Sequence, residues 1–195
     1  MKKFFVALIL GIAITGYVTT YCETVKSNIS KSVVRLHVVA NSNSPYDQQL
    51  KLEVRDKILD WLSEQDFQSV EQAKEVTENS IEKITKTANN VVAEKGFYYP
   101  VKCKTGNFMF PTKSYGEAKL PKGEYYALRV EIGEAKGENW WCVLYPQLCF
   151  SEFGEQSKAK LKETLDSEAY SLVTESEKYK FKFFLNIETS FINNA

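Results

Sequence analysis

The chain has 195 residues, with 25 basic and 25 acidic side chains that cancel to a formal net charge of zero. At 44 % hydrophobic it is too apolar for a disordered chain and long enough to bury one ordinary core. The three arginines (Arg35, Arg55 and Arg129) and the scattered lysines form no basic run, so nucleic acid is not an expected partner.

Lys2 and Lys3 precede an apolar run over residues 4–18. This pattern is the charged start and apolar body of a secretory signal or a short membrane anchor. At about 15 residues it falls short of the roughly 20 that a spanning helix needs, which favours export with cleavage. The cleavage signal is poor: no A-x-A occurs, the best small-residue pairs are Val18/Thr20 and Thr20/Cys22, and bulky Tyr21 precedes Cys22. Residues 1–22 are therefore read as a signal peptide or an anchor. Residues 23–32 (ETVKSNISKS) are polar and unpatterned and read as a tether, with a single domain over 33–195.

Residues 33–40 (VVRLHVVA) predict a strand. Alternation puts Val34, Leu36, Val38 and Ala40 on one face, and Val33, Arg35, His37 and Val39 on the other. Asn41, Ser42 and Asn43 then turn the chain, and Ser44, Pro45 and Asp47 supply the N-cap, first-turn proline and capping-box acid of a helix. That helix carries an apolar stripe of Leu50, Val54, Ile58, Trp61 and Leu62, with Lys51, Glu53, Arg55, Asp56 and Asp60 largely off it. A second helix is predicted from Ser69, boxed by Gln72, to Gly96, burying Ala73, Val76, Ile81, Ile84, Ala88 and Val91. From Phe97 the period becomes alternating, and strands are expected near 97–104, 107–111, 124–133 and 139–145. A short helix is expected around 157–166, and the aromatic tail over 179–187 is ambiguous between strand and helix. The order predicts an α+β fold: a mainly antiparallel sheet with two longer helices packed on one face.

Catalytic motifs are scarce. His37 is the sole histidine and the cysteines lack C-x-x-C spacing, so no metal site is expected. No serine sits in G-x-S-x-G, and no glycine loop could cradle a phosphate, so no cofactor and no catalytic residue is assigned. The enzyme reading that stays open is an extracytoplasmic Cys-His hydrolase, pairing His37 with Cys103, Cys142 or Cys149. Pro146, between Cys142 and Cys149, can turn the chain so that those two sulfurs meet. Closing the ring would add roughly 2.5 kcal/mol in the chain-entropy model. Cys103 is then left over, as a buried small side chain or as a thiol for pairing between chains, which would give a disulfide-linked homodimer.

The polar letters of the strand-turn-helix segment allow two readings. Asn41, Ser42 and Asp47 are ordinary turn and cap residues. Alternatively, Arg35, His37, Asn41, Ser42, Gln48, Gln49 and Arg55 line a contact surface beside the turn. Trp140 and Trp141 pose the same choice, because alternation sends one inward and the other outward as an interface anchor or wall-binding residue.

The segments RLHVVANSNSPYDQQLKLEVRD (35–56) and WWCVLYPQLCF (140–150) closely resemble stage II sporulation protein R of endospore-forming bacteria, with similarity over roughly residues 33–187. Arg35, His37, Asn41, Ser42, Asp47, Gln48, Leu50, Lys51, Val54, Arg55 and Asp56 match the family motif, which carries no established catalytic role. Asn43 stands where the family has aspartate, removing a charge from the turn. The resemblance implies a non-enzymatic signal, made in the forespore and exported into the space between the two cell membranes. There it would activate a membrane-embedded aspartic peptidase that trims pro-sigma factor E. It also supports a Cys142–Cys149 pair.

Overall fold

A computed structural model describes residues 2–148 and 155–175. Helix α1 (Lys2–Lys31) leads into strand β1 (Val34–Val39), and helices α2 (Pro45–Ser63), α3 (Val70–Asn79) and α4 (Ile81–Glu94) follow. Strands β2 (Val101–Phe110), β3 (Lys113–Tyr115), β4 (Ala118–Leu120), β5 (Gly123–Ile132) and β6 (Asn139–Tyr145) come next, then helices α5 (Glu155–Thr164) and α6 (Ser167–Thr174). The aromatic tail at 179–187 lies outside the described residues.

The fold is α+β, built on a four-stranded sheet of order β2-β5-β1-β6. β1 runs parallel to β5 and antiparallel to β6, so the sheet is mixed. Being central, β1 is buried on both faces along its whole length. Its Val34, Leu36 and Val38 join Leu128, Val130, Ile132 and Leu144 under α2, α3 and α4. The opposite face is also covered, which corrects the expected one-sided packing. There Val33, Tyr125, Ala127 and Val143 meet Val25 and Ile29 of α1, Ala118 and Leu120 of β4, and Leu161, Ala169 and Val173 of α5 and α6.

The expected tether over residues 23–32 is instead the last turns of α1. Four residues apart, Val25 and Ile29 share one helix face and are both buried, an apolar pair too sparse to stand out among polar neighbours. Asn28 fastens the same helix to α6 by donating to Asp166, 3.1 Å away.

The expected second helix is two helices. Ser80, at φ −102° and ψ 8°, breaks it, so that α3 packs toward β1 and β6 while α4 packs on β2. Gly96, at φ +78°, ends α4 as predicted. Its N–H donates to Ala93 and that of Phe97 to Val92, the paired bonds of a left-handed helix stop. β2 is one ten-residue strand rather than two, and the β3–β4 hairpin and α6 were not anticipated. Short three-residue strands and an eight-residue helix offer too few periods to be read.

Candidate functional site

The two motif segments meet at one end of the sheet, where β1 and α2 face the turn joining β5 to β6. Ser44 caps α2 by accepting from the Asp47 N–H at 3.2 Å, and Pro45 opens the helix as predicted. The Asp47 carboxylate turns back toward the strand and accepts from Asn41 Nδ2 at 2.9 Å and Ser42 Oγ at 2.6 Å. Burial alone would push the Asp47 carboxyl up. Hydrogen bonds from Ser42, Asn41, Tyr99 and Ser44 outweigh it and hold the group below its ordinary value.

This turn grips the β5–β6 connection. Asn41 Oδ1 accepts from the Glu134 N–H at 2.9 Å, and Asn43 Oδ1 accepts from the Glu138 N–H at 2.7 Å. The aspartate expected at position 43 could accept the same bond, so Asn43 supplies that geometry without the charge. The fit is tight: a Cβ at Gly137 would stand 2.2 Å from the Ser42 carbonyl oxygen. Gln48 Nε2 donates to the Ser42 carbonyl at 2.8 Å, while Lys51 Nζ donates to Gln48 Oε1 at 2.6 Å and the Glu138 carbonyl at 3.1 Å. Lys51, expected off the buried stripe, is in fact buried by this role. Asn41, Ser42 and Gln48 thus hold the turn together.

Arg35 and His37 do not form an exposed surface. Their face of the sheet, expected to be open, lies beneath Phe110, Tyr115 and Tyr125, and they are 0 % and 3 % exposed. The Arg35 guanidinium carbon lies 4.1 Å from the Phe110 ring centroid and 4.8 Å from that of Tyr125. Nη2 donates to the Tyr115 hydroxyl at 2.5 Å, and that hydroxyl donates to the Trp141 carbonyl at 3.2 Å. Three aromatic rings thus stand where a carboxylate partner is usual. Burial also pushes the Tyr115 hydroxyl up, so it stays neutral.

His37 stacks on Trp141, with ring centroids 3.8 Å apart, and its Nε2 lies 2.6 Å from Asn139 Oδ1. A carboxamide oxygen only accepts, so Nε2 carries the proton and Nδ1 is bare. Burial drives the imidazole down to about 4 despite the bond to Asn139. Asn139, Phe110 and Tyr115 left no signal near His37 or Arg35, being 73 or more residues away in sequence.

Cys103 and Cys142 lie across the sheet from His37. Cys142 sits in the core under α2–α4, and half-buried Cys103 packs against that core with its thiol bonded to Thr85 of α4. Neither approaches His37. Burial pushes the Cys103 thiol up, toward an inert small side chain rather than a nucleophile. Cys142 is disulfide-bonded, and Cys103 and Cys22 are free thiols. After Pro146 the chain turns back, with the Leu148 N–H donating to the Val143 carbonyl at 3.3 Å. Cys149 lies outside the described residues.

Of the anticipated surface, Gln49 is exposed and Arg55 is half-buried, its side chain 16 % exposed, beside Trp140. Arg55 lays its guanidinium 4.1 Å from the Trp140 ring centroid and pairs with Asp56 at 2.5 Å. Trp140 is 36 % exposed. As alternation requires, the adjacent Trp141 turns inward onto His37.

Comparison with known proteins agrees with this geometry. The family model for stage II sporulation protein R matches residues 30–155, from the end of α1 to the start of α5. A curated relative, the stage II sporulation protein R of Bacillus subtilis (strain 168), is 36 % identical over 151 residues, covering 75 % of this chain and 66 % of that protein. The chain thus spans just under two thirds of that relative's length. No solved structure matches significantly. A match running through both motif segments and every strand of the sheet settles the family: the chain belongs to the stage II sporulation protein R family.

Proposed function

We propose that this chain is an exported sporulation signal that activates a membrane-embedded aspartic peptidase across the space between two membranes, starting the processing of pro-sigma factor E. The observation that supports this most is the convergence of the two family segments, where Arg55 of the first lies on Trp140 of the second at the exterior. Tryptophan and arginine are the residues that most often anchor protein interfaces. Export is supported by α1, which is apolar enough to cross a membrane and whose Phe4, Ile9, Ile12 and Tyr17 are exposed. The hydrolase reading loses support because the sheet separates His37 from Cys103 and Cys142.

The test is co-expression of the exported chain with the peptidase and pro-sigma factor E in a non-sporulating host, following pro-segment removal on a gel. Processing that requires this chain and persists in a folded His37→Ala variant supports a non-catalytic activator. Absence of processing by the wild-type chain overturns the proposal.

A further inference from the structure

α1 is one continuous helix from Lys2 to Lys31, and its final turns belong to the domain core through Val25 and Ile29. Tyr21, exposed at the end of the apolar stretch, is only four positions from buried Val25. At 1.5 Å per residue that is about 6 Å, within the thickness of a lipid headgroup layer. A membrane holding α1 would therefore bring its surface against the domain, with no flexible spacer between them.

Beside this junction lies an open cleft of about 460 Å³, lined by Lys26, Lys31, Lys74 and Lys122 with Glu23 and Glu124 among its other residues. Glu23 is taken up by Lys26 in an ion pair of 2.8 Å within α1. Lys74 lies over the Tyr126 ring, 5.4 Å from its centroid. Lys31 of α1, Lys74 of α3 and Lys122 between β4 and β5 are far apart in sequence, so only the fold brings their charges together, and the cleft carries net positive charge in a neutral chain.

We propose that α1 is retained and seats the domain directly on its membrane, with this lysine-lined cleft taking the phosphate headgroups of anionic phospholipids. Each lysine held near an anionic surface adds to the attraction, and the effect fades within a Debye length. Lys26 and Glu23, a turn or so past the apolar stretch, stand at the headgroups, while Lys31 lies roughly 15 Å beyond Tyr21 along the helix. The seating would also fix which face of the domain, and hence whether the Arg55–Trp140 pair, looks across toward an opposing membrane.

The experiment reconstitutes the full chain in nanodiscs of phosphatidylcholine alone, or of an equal mixture with phosphatidylglycerol. An amine-reactive reagent is added, and mass spectrometry reads the acylation rate of each lysine. Lys31, Lys74 and Lys122 should label several-fold more slowly in the mixed discs and regain their rates at high salt. Lys57 of α2 and Lys86 of α4, which do not line the cleft, should not change. A Lys74→Glu, Lys122→Glu variant with an unchanged melting temperature should lose the protection of Lys31. Equal labelling in both discs, or protection that survives the double substitution, would overturn the assignment of the cleft. Equal protection by soluble glycerophosphoglycerol in phosphatidylcholine discs would assign it to a free phosphate ester and overturn the seating. A mass showing that membrane-purified protein lacks residues 1–22 would also overturn it.

Discussion

Arg55 and Trp140 lie 85 positions apart in sequence, yet the guanidinium of one covers the indole of the other at 4.1 Å from the ring centroid. A partly buried cation–π contact of this kind contributes about 1 kcal/mol, too little to hold the fold. Its loss should therefore separate stability from signalling. Arg55→Glu and Trp140→Ala are each expected to lower the melting temperature by only a few degrees while reducing pro-sigma factor E processing several-fold in the co-expression assay. Full processing by both variants would remove this pair from the contact surface.

Asp47 is expected to behave as the keystone of the turn. Asp47→Ala leaves Asn41 Nδ2 and Ser42 Oγ without their acceptor and loosens the grip on residues 133–138, costing about 2–3 kcal/mol in a urea titration. The carboxyl is held below its ordinary value in the fold, so its contribution is complete above the unfolded value near 4 and disappears as pH falls through the folded one. The gap between wild type and Asp47→Ala should accordingly narrow in strong acid and stay constant from pH 5 to 8.

His37 gives a pH dependence in a different window. Folding pulls its imidazole from the ordinary 6.5 down to about 4, so between those values the unfolded chain binds a proton that the native chain refuses. Stability therefore falls as pH drops from 6.5 toward 4 and levels off below it. Between pH 7 and pH 5 the loss should be about 2 kcal/mol. A His37→Gln variant, whose side chain does not titrate, should lack this slope in its urea midpoints. An identical slope in both proteins would show that some other group carries it.

How far the sequence alone could be read depended on the range of the interactions. The α2 cap, the Gly96 stop and the β1 faces rest on neighbours within a few residues, and period and cap chemistry exposed them directly. The neighbours of Arg35 and His37 could not be read this way. A polar pair on one strand face looks solvent-facing until a hairpin 80 residues later, carrying Tyr115, is found lying over it. Parallel pairing of β1 with β5 is equally hidden, because nothing within β1 distinguishes a central strand from an edge. At the site, Gln49 kept an exposed position and Arg55 a half-buried one, while Asn41, Ser42 and Gln48 proved to be the framework that holds the turn.

Arg35 offers a test of whether its charge serves folding or something else. A buried guanidinium among three rings bears a desolvation cost that no carboxylate offsets among the described residues. Arg35→Met keeps much of the volume, removes the charge, and leaves the Tyr115 hydroxyl able to donate to the Trp141 carbonyl. The expected change in unfolding free energy is within about 1 kcal/mol of zero, whereas Arg35→Ala should cost about 3 kcal/mol through the space it opens. A large loss in Arg35→Met would show that the cation–π contacts outweigh the desolvation.

The cysteines predict a defined redox pattern. Mass spectrometry of exported, non-reduced protein should find Cys142 and Cys149 joined in one peptide pair, with Cys103 free and slow to alkylate until the domain unfolds. Closing a short loop should contribute roughly 2.5 kcal/mol, so Cys149→Ser should lower the unfolding free energy from a urea titration by that amount and leave Cys142 newly reactive. Cys103→Ser is a separate test. Its thiol faces Thr85 beneath α4 rather than the open edge of β2, so the substitution should leave the oligomeric state unchanged on a non-reducing gel. A disulfide-linked dimer that vanishes in Cys103→Ser would mean that β2 and α4 part in solution far enough for the thiol to reach a second chain.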